Sequence, residues 1–310
     1  MNYKSIAAIA ALACSTGALA QAVGFATLPP GSLNHTTASA VSKVLKERAG
    51  INMLVQPTAG DNVIIPMVNR GESTMGIANA PETAMAMKEA KQADVRLLAV
   101  AHTLQTAFFV RKDSRFRTIA DMKNARVELG YSAMRTIDLL TRAILATAGL
   151  TERDVKAVLV PNVVRGADDF ASGASDMFFF AFGGPKVREI DSSIPLRVLE
   201  IDEKGMAAAR KITPYGFLTS VQPGPIYIGV EKPMKVYSFD NLLLVNAKVP
   251  DDMVYKILDT LEKNKSDLVA VQPVLRAFSA ANGYKRYDMP YHPGALKYYK
   301  EHDIQAKPLE

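Results

Sequence analysis

The sequence predicts a two-lobed α/β protein in which two strands cross between the lobes and leave a cleft. Three observations carry that expectation. From residue 23 onward, strand-length apolar runs alternate with helix-length amphipathic segments, the pattern of parallel strands joined by crossover helices. A long apolar stretch at 95–110, VRLLAVAHTLQTAFFV, interrupts the alternation, which restarts after a charged segment. A second apolar run at 239–245 comes late, ahead of two closing helices. One series, a crossing, a second series and a return crossing put both chain ends in the first lobe. Lobe 1 is therefore expected over residues 21–117 and 239–310, and lobe 2 over 118–238.

Residues 23–28 form the first expected strand. The next helix shows Ala38, Val41, Val44 and Leu45 on one face and stops at Gly50, a residue suited to a left-handed cap. A strand at 52–56, a short helix at 61–69 closed by Arg70-Gly71, a strand at 74–78 and a helix at 81–91 opened by Pro81 complete the first series. The stretch 95–110 is broken by the polar group His102-Thr103-Leu104-Gln105, so it reads as two strands with a turn. In lobe 2 a short helix at 118–123 and a strand at 126–130 come first. An amphipathic helix at 135–148, a strand at 155–160, a helix at 167–172 and a strand at 177–182 follow. Gly183-Gly184-Pro185 opens another helix, and a strand is expected at 196–201. Residues 214–225 read as loop, and 250–263 and 268–277 as terminal helices.

Residues 1–20, MNYKSIAAIAALACSTGALA, have an early cation at Lys4, a short apolar run and Ala18-Leu19-Ala20 before Gln21. This is the pattern of a secretory signal peptide cleaved near Ala20, and the run is too short to span a bilayer. Ala11-Leu12-Ala13-Cys14 also loosely resembles a lipoprotein cleavage site, which would anchor the chain through Cys14. Cys14 is the only cysteine of the 310 residues, so the exported protein is expected to have no disulfide. A net charge of +6, with cations and anions interspersed, lacks the concentrated basic stripe of a nucleic-acid binder. The four histidines are never at metal-ligand spacing, so no zinc site and no cofactor are expected, while a bound Na⁺ or Ca²⁺ stays open because oxygen ligands leave weak sequence traces. His102, His292 and His302 read as structural or solvated, and His292-Pro293-Gly294 resembles a helix entry. No nucleophile elbow, P-loop or dinucleotide fingerprint occurs, so the chain is not expected to be an enzyme.

Ligands of open α/β sheets sit beyond the carboxyl ends of the strands, which directs attention to the loops there. After the first strand come Ser32, Asn34 and His35. Ser32 and Asn34 are each good helix caps, yet one cap suffices, leaving groups free for a ligand. At the second turn Thr58, Asp61 and Asn62 are candidates, with Asp61 equally able to cap its helix. In lobe 2, Tyr131, Ser132, Arg135 and Thr136 share a turn. Arg135 in a first helical turn opposes the macrodipole, which a ligand carboxylate would offset through a bidentate pair; its ordinary alternative is an exposed pair with Asp138. Phe179 and Phe180 read mostly as core, and Phe182 at a strand end as facing the cleft.

The motifs GSLNHTTASAVSKVL, PTAGDNVIIPMVNRGESTMGIANA, VRLLAVAHTLQTAFFVRKDSRFRTIADMKNARVELGYS, VPDDMVYKILDTLEKN and MPYHPGALKYYKE resemble those of TAXI-type solute receptors of TRAP transporters. The resemblance spans nearly the whole exported chain. It implies a type II periplasmic-binding-protein-like bilobal fold and a monomeric periplasmic receptor that closes on a small organic acid, such as a dicarboxylate, an acidic amino acid or an oxo acid. It also implies delivery to a TRAP permease; a receptor for an ABC importer or for a membrane sensor is the alternative, and an exported enzyme on the same fold a more distant one. Asn62 matches an asparagine of that family, and Asn79 of MGIANA joins the implied site. The chain departs from the family at Pro29-Pro30-Gly31-Ser32-Leu33-Asn34-His35, at Ala59-Gly60-Asp61-Asn62 and at Gly130-Tyr131-Ser132-Ala133-Met134-Arg135-Thr136, which bears on the identity of the ligand.

Overall fold

The computed structural model describes residues 23–89, 92–213 and 215–309. The expected signal peptide, its cleavage near Ala20 and the Cys14 alternative lie outside the described residues. The first series is β1 (Val23–Thr27), α1 (Leu33–Ala49), β2 (Met53–Pro57), α2 (Asp61–Arg70), β3 (Met75–Asn79) and α3 (Ala80–Glu89), followed by β4 (Val95–Arg111). The second comprises β5 (Arg126–Leu129), α4 (Arg135–Thr147), β6 (Lys156–Leu159), α5 (Val163–Ala171), β7 (Met177–Ala181), α6 (Pro185–Asp191), β8 (Leu196–Val198), α7 (Met206–Ile212) and β9 (Phe217–Val221). The chain closes with β10 (Met234–Asn246), α8 (Asp251–Lys263), α9 (Lys265–Val271), α10 (Ala280–Gly283) and α11 (Pro293–Glu301).

An eight-stranded sheet runs β2-β1-β3-β10-β4-β7, with β8 on β4 and β9 on β10. The β1–β2 and β1–β3 pairs are parallel, while β10 lies antiparallel to both β3 and β4. Alternation along these strands fills both faces, since successive side chains point to opposite sides. Phe25, Ile77, Leu243 and Val245 pack with Val41 and Leu45 of α1 and Ile257 and Leu258 of α8. Ala26, Ala78, Leu242 and Leu244 pack with Ile64, Ile65 and Val68 of α2. The C-terminal helices thus complete the lobe that the N-terminal strands begin.

Local signals act as the sequence suggests at several ends. Gly50 caps α1 at φ 68°, its N–H reaching the Leu45 carbonyl, and Gly71 caps α2 at φ 73°. His292 caps α11, its Nδ1 accepting from the Gly294 N–H at 3.1 Å.

Other expectations are corrected. Residues 95–110 are not two strands with a turn, because β4 is one strand of 17 residues. Its polar group needs no turn, since partners on neighbouring elements satisfy each side chain. His102 Nε2 lies 3.3 Å from Thr37 Oγ1, Thr103 donates to Asp240 Oδ1 at 3.0 Å, and Gln105 donates to Thr219 Oγ1 at 3.0 Å. A buried polar group satisfied in this way costs little compared with an orphaned one. Nor does the second series build its own parallel sheet beyond β5–β6, as β7 and β8 add antiparallel to β4. The expected loop at 214–225 contains β9, paired to β10, and the crossing expected at 239–245 begins at Met234. The expected helix at 118–123 is a single 3₁₀ turn boxed by Thr118 and Asp121. The helix expected over 268–277 ends at Val271, because Pro273 disfavours helical backbone at Gln272. Among the described residues, no helix is long and apolar enough to cross a membrane.

Candidate functional site

The turns after β1, β2 and β3 meet those after β5, β6 and β7 with the cleft shut. Lys186 N–H donates to the Gly31 carbonyl at 3.1 Å, and Asn62 Nδ2 lies 3.5 Å from the Ser132 carbonyl. Between them remains a cavity of about 40 Å³, lined by Ser32, Asn34, Asp61, Asn79 and Thr106 among apolar side chains that include Leu104, Met134, Phe180 and Phe239.

From the first lobe, Ser32 is the cap of α1: its Oγ accepts from the His35 N–H at 3.1 Å and donates to the Pro29 carbonyl at 2.7 Å. Asn34 is buried, its Oδ1 accepting from Asn241 Nδ2 at 2.9 Å. His35 is half-buried and outside the cavity, and desolvation lowers its pKa. Thr58 also falls outside, where its hydroxyl shapes the turn by donating to the Gly60 carbonyl at 3.2 Å.

Gly60, not Asp61, is the cap of α2. Asp61 is the first helical residue, 1% exposed and turned inward. Its Oδ2 accepts from Asn79 Nδ2 at 2.5 Å, while its Oδ1 has no partner among the described residues. Burial, reinforced by the nearby Glu82, pushes the Asp61 pKa up to about 8. Asn79 Oδ1 in turn accepts from the Glu82 N–H at 2.8 Å.

Glu82 closes the other side. Only 2% exposed, it accepts at Oε2 from the Thr136 N–H at 2.9 Å and from the Thr136 hydroxyl. A carboxylate of one lobe therefore occupies the helix N-terminus of the other, where unpaired N–H groups and the macrodipole favour negative charge. Thr136 was expected to contact a ligand, but the protein's own carboxylate engages it.

The rest of the lobe 2 turn lies elsewhere. Tyr131 does not cover the cavity; it is buried, its hydroxyl donating to Glu128 Oε2 at 3.2 Å. Ser132 and Asn62 are exposed and line a second, open cavity between the lobes, of about 540 Å³, with Tyr131, Glu82 and Arg135. Arg135 does begin α4, yet its guanidinium points outward to Glu89 at 3.0 Å, with the two side chains 60% and 56% exposed. Its expected alternative partner, Asp138, pairs with Arg142 at 2.7 Å instead. Arg135→Ala is accordingly expected to change stability by less than about 0.5 kcal/mol in urea unfolding and to leave solute affinity unaltered. Phe182 turns away as well: it packs on Phe109 and Tyr227, with ring centroids at 5.3 and 5.4 Å, and lines a third cavity beside Gln105.

The residues that sequence reasoning missed include Glu82, Thr106, Met134 and Phe239, and Leu104, Phe179 and Phe180, read as turn or core, also line the cavity. Glu82 follows Pro81 in a first helical turn, where an acidic residue is ordinary; nothing local reveals its partner 54 positions away. Thr106 and Phe239 belong to the crossing strands, whose period-two pattern reads as core.

A second buried carboxyl, Glu128, is also pushed up to about 8 by burial, against hydrogen bonds from Ser175 and Tyr131 that work the other way. A carboxyl with a folded pKa above its unfolded value binds its proton more tightly when folded. Its penalty is absent below about pH 4 and grows until the pH passes the folded pKa. Stability is therefore expected to fall from pH 5 to pH 8, with each group contributing a slope of up to about 1.4 kcal/mol per pH unit. Urea midpoints across that range test this, and Asp61→Asn and Glu128→Gln should each flatten the curve.

Two lobes joined by long crossing strands, with their loops closed over a small interior site, define a protein of the periplasmic-binding class by fold. The chain belongs to the NMT1-like family, which matches residues 25–302. Among solved structures it is similar to one titled as a periplasmic transporter, at 14% identity and a TM-score of 0.59 over 91% of this chain and 93% of that one. It is also similar to PhnD1 from Prochlorococcus marinus in complex with methylphosphonate, at 10% identity and 0.55 over 92% and 100%. A third is the substrate-binding protein of an amino acid ABC transporter, at 14% identity and 0.51 over 81% and 96%. At these identities the likeness establishes the fold.

Proposed function

We propose that this protein is a periplasmic solute receptor that traps a small molecule between its lobes and presents the closed form to a membrane importer. The observation that carries this reading is the interior site itself: loops from both lobes close on it, and Asp61, one of its lining residues, has a buried Oδ1 without a partner among the described residues. Such a site changes shape only if the lobes hinge, which ties occupancy to the surface a permease would recognise. We assign the lobes to residues 21–117 with 239–310 and to 118–238, and the solute contacts to Ser32, Asn34, Asp61 and Asn79. Export through the N-terminal segment, a monomeric state and the absence of turnover belong to the same proposal.

Delivery to an ABC importer is the coupling we favour, since an amino acid ABC transporter component is among the structural relatives. The TRAP permease and the organic-acid ligand rest on the sequence resemblance alone. For the acid, the expected cation Arg135 lies outside the cavity. Uptake in cells separates the couplings, as ATP depletion stops an ABC importer and collapse of the ion gradient stops a TRAP system.

Native mass spectrometry of the gently purified protein tests the receptor role. The expected result is one small molecule per chain, released on denaturation and not chemically changed on incubation. A chain that is empty, and stays unresponsive in thermal shift to a broad solute panel, would remove the proposal.

A further inference from the structure

Three features of the smaller interlobe cavity, which Asp61 lines, point the same way. The first is an unmet polar atom: Asp61 is 1% exposed, lines the cavity, and its Oδ1 has no hydrogen-bond partner among the described residues. An orphaned buried polar atom carries the full cost of lost hydration, so a donor group placed there gains more than it would at the surface. The second is the missing counter-charge. Among the described residues no Lys, Arg or His lines it, and the arginine expected there is paired with Glu89 in the larger, open cavity. The third is Glu82, whose carboxylate already fills the N-terminus of α4 and adds negative charge behind Asp61. A solute carboxylate entering this space would meet the charge of Glu82, no cation and an occupied helix terminus.

We infer that the solute's polar end is an amine seated on Asp61 Oδ1, with an apolar body lying against Leu104, Met134, Phe180 and Phe239. The inference rests on the receptor reading and narrows it. An ammonium group supplies both the donor and the charge this carboxyl lacks, and the amide of Asn79 holds the other carboxyl oxygen in place at 2.5 Å. The remaining space of about 40 Å³ suits an ammonium-sized group, so the lobes must close less far around the solute's body. Burial keeps Asp61 protonated in the empty site at neutral pH. Seating a cation there favours the ionised carboxylate, so a proton leaves Asp61 as the ammonium arrives.

The test uses three matched probe sets, isoamylamine and phenethylamine, their alcohols, and the carboxylates of the same skeletons. They are applied to the full-length exported protein in thermal shift and calorimetry. The amines are expected to raise the melting temperature, with affinity at least tenfold weaker in Asp61→Asn, and calorimetry in two buffers should register proton release. The solute freed from purified wild-type protein is the readout that needs no variant, and an amine there supports the inference. A freed solute without an amine overturns it and leaves the receptor role standing. So does preferential stabilisation by the carboxylates, or amine affinity unchanged in folded Asp61→Asn. No freed solute and no response to any probe removes the inference and the receptor reading together.

Discussion

Gly60→Ala is expected to hold the cleft open without unfolding either lobe. A methyl at this position would lie 1.7 Å from the Ala133 carbonyl oxygen across the cleft, and the obstacle is backbone, so no side-chain rotation relieves it. Gly60 itself has φ −179°, extended backbone that alanine adopts freely, so the variant adds no local strain. The whole effect falls on closure. Because apparent affinity scales with the fraction of molecules able to close, a shift of about 3 kcal/mol against the closed form weakens binding about 100-fold. Small-angle scattering should give a larger radius of gyration for the variant in the presence of solute, while its urea midpoint stays near that of wild type. A variant that closes and binds normally would show that the Gly60–Ala133 approach does not limit closure.

Glu82→Ala should produce the second large effect by removing the carboxylate that joins the lobes. It leaves the Thr136 N–H and hydroxyl without their buried acceptor. Hydrogen bonds to charged groups contribute about 1.5–3 kcal/mol each. Opening lets water reach Thr136 and offsets part of the loss, so the net cost is expected at about 2 kcal/mol. Glu82→Gln retains one acceptor and should lose roughly half as much. A double-mutant cycle with Thr136→Val isolates the pair, and a coupling near zero would mean that Glu82 acts within its own lobe only.

These effects arise from contacts that local pattern cannot express. Ser32, Gly50, Gly71 and His292 are caps because each satisfies groups within a few positions of itself, and such short-range chemistry is legible in a single sequence. Alternating strand and helix runs are legible for a similar reason, since burial of one face imposes a period. The run at 95–110 misleads because its polar residues look like a turn until Thr37, Asp240 and Thr219 arrive from distant elements to satisfy them. Arg135 misleads in the opposite direction. Its place in the first turn of α4 was legible, but not that Glu82 would supply the anion there and Glu89 would draw the guanidinium outward.

By itself, then, the sequence determined the α/β class, the two crossings and the loops that would face one another. Periodicity and capping are properties of neighbouring residues. Only the tertiary structure decided which of those loop residues turn inward, that Asp61 keeps an unmet oxygen, and that the α4 terminus is already filled. Each of those outcomes depends on a partner from another element, and on burial that withdraws water from both.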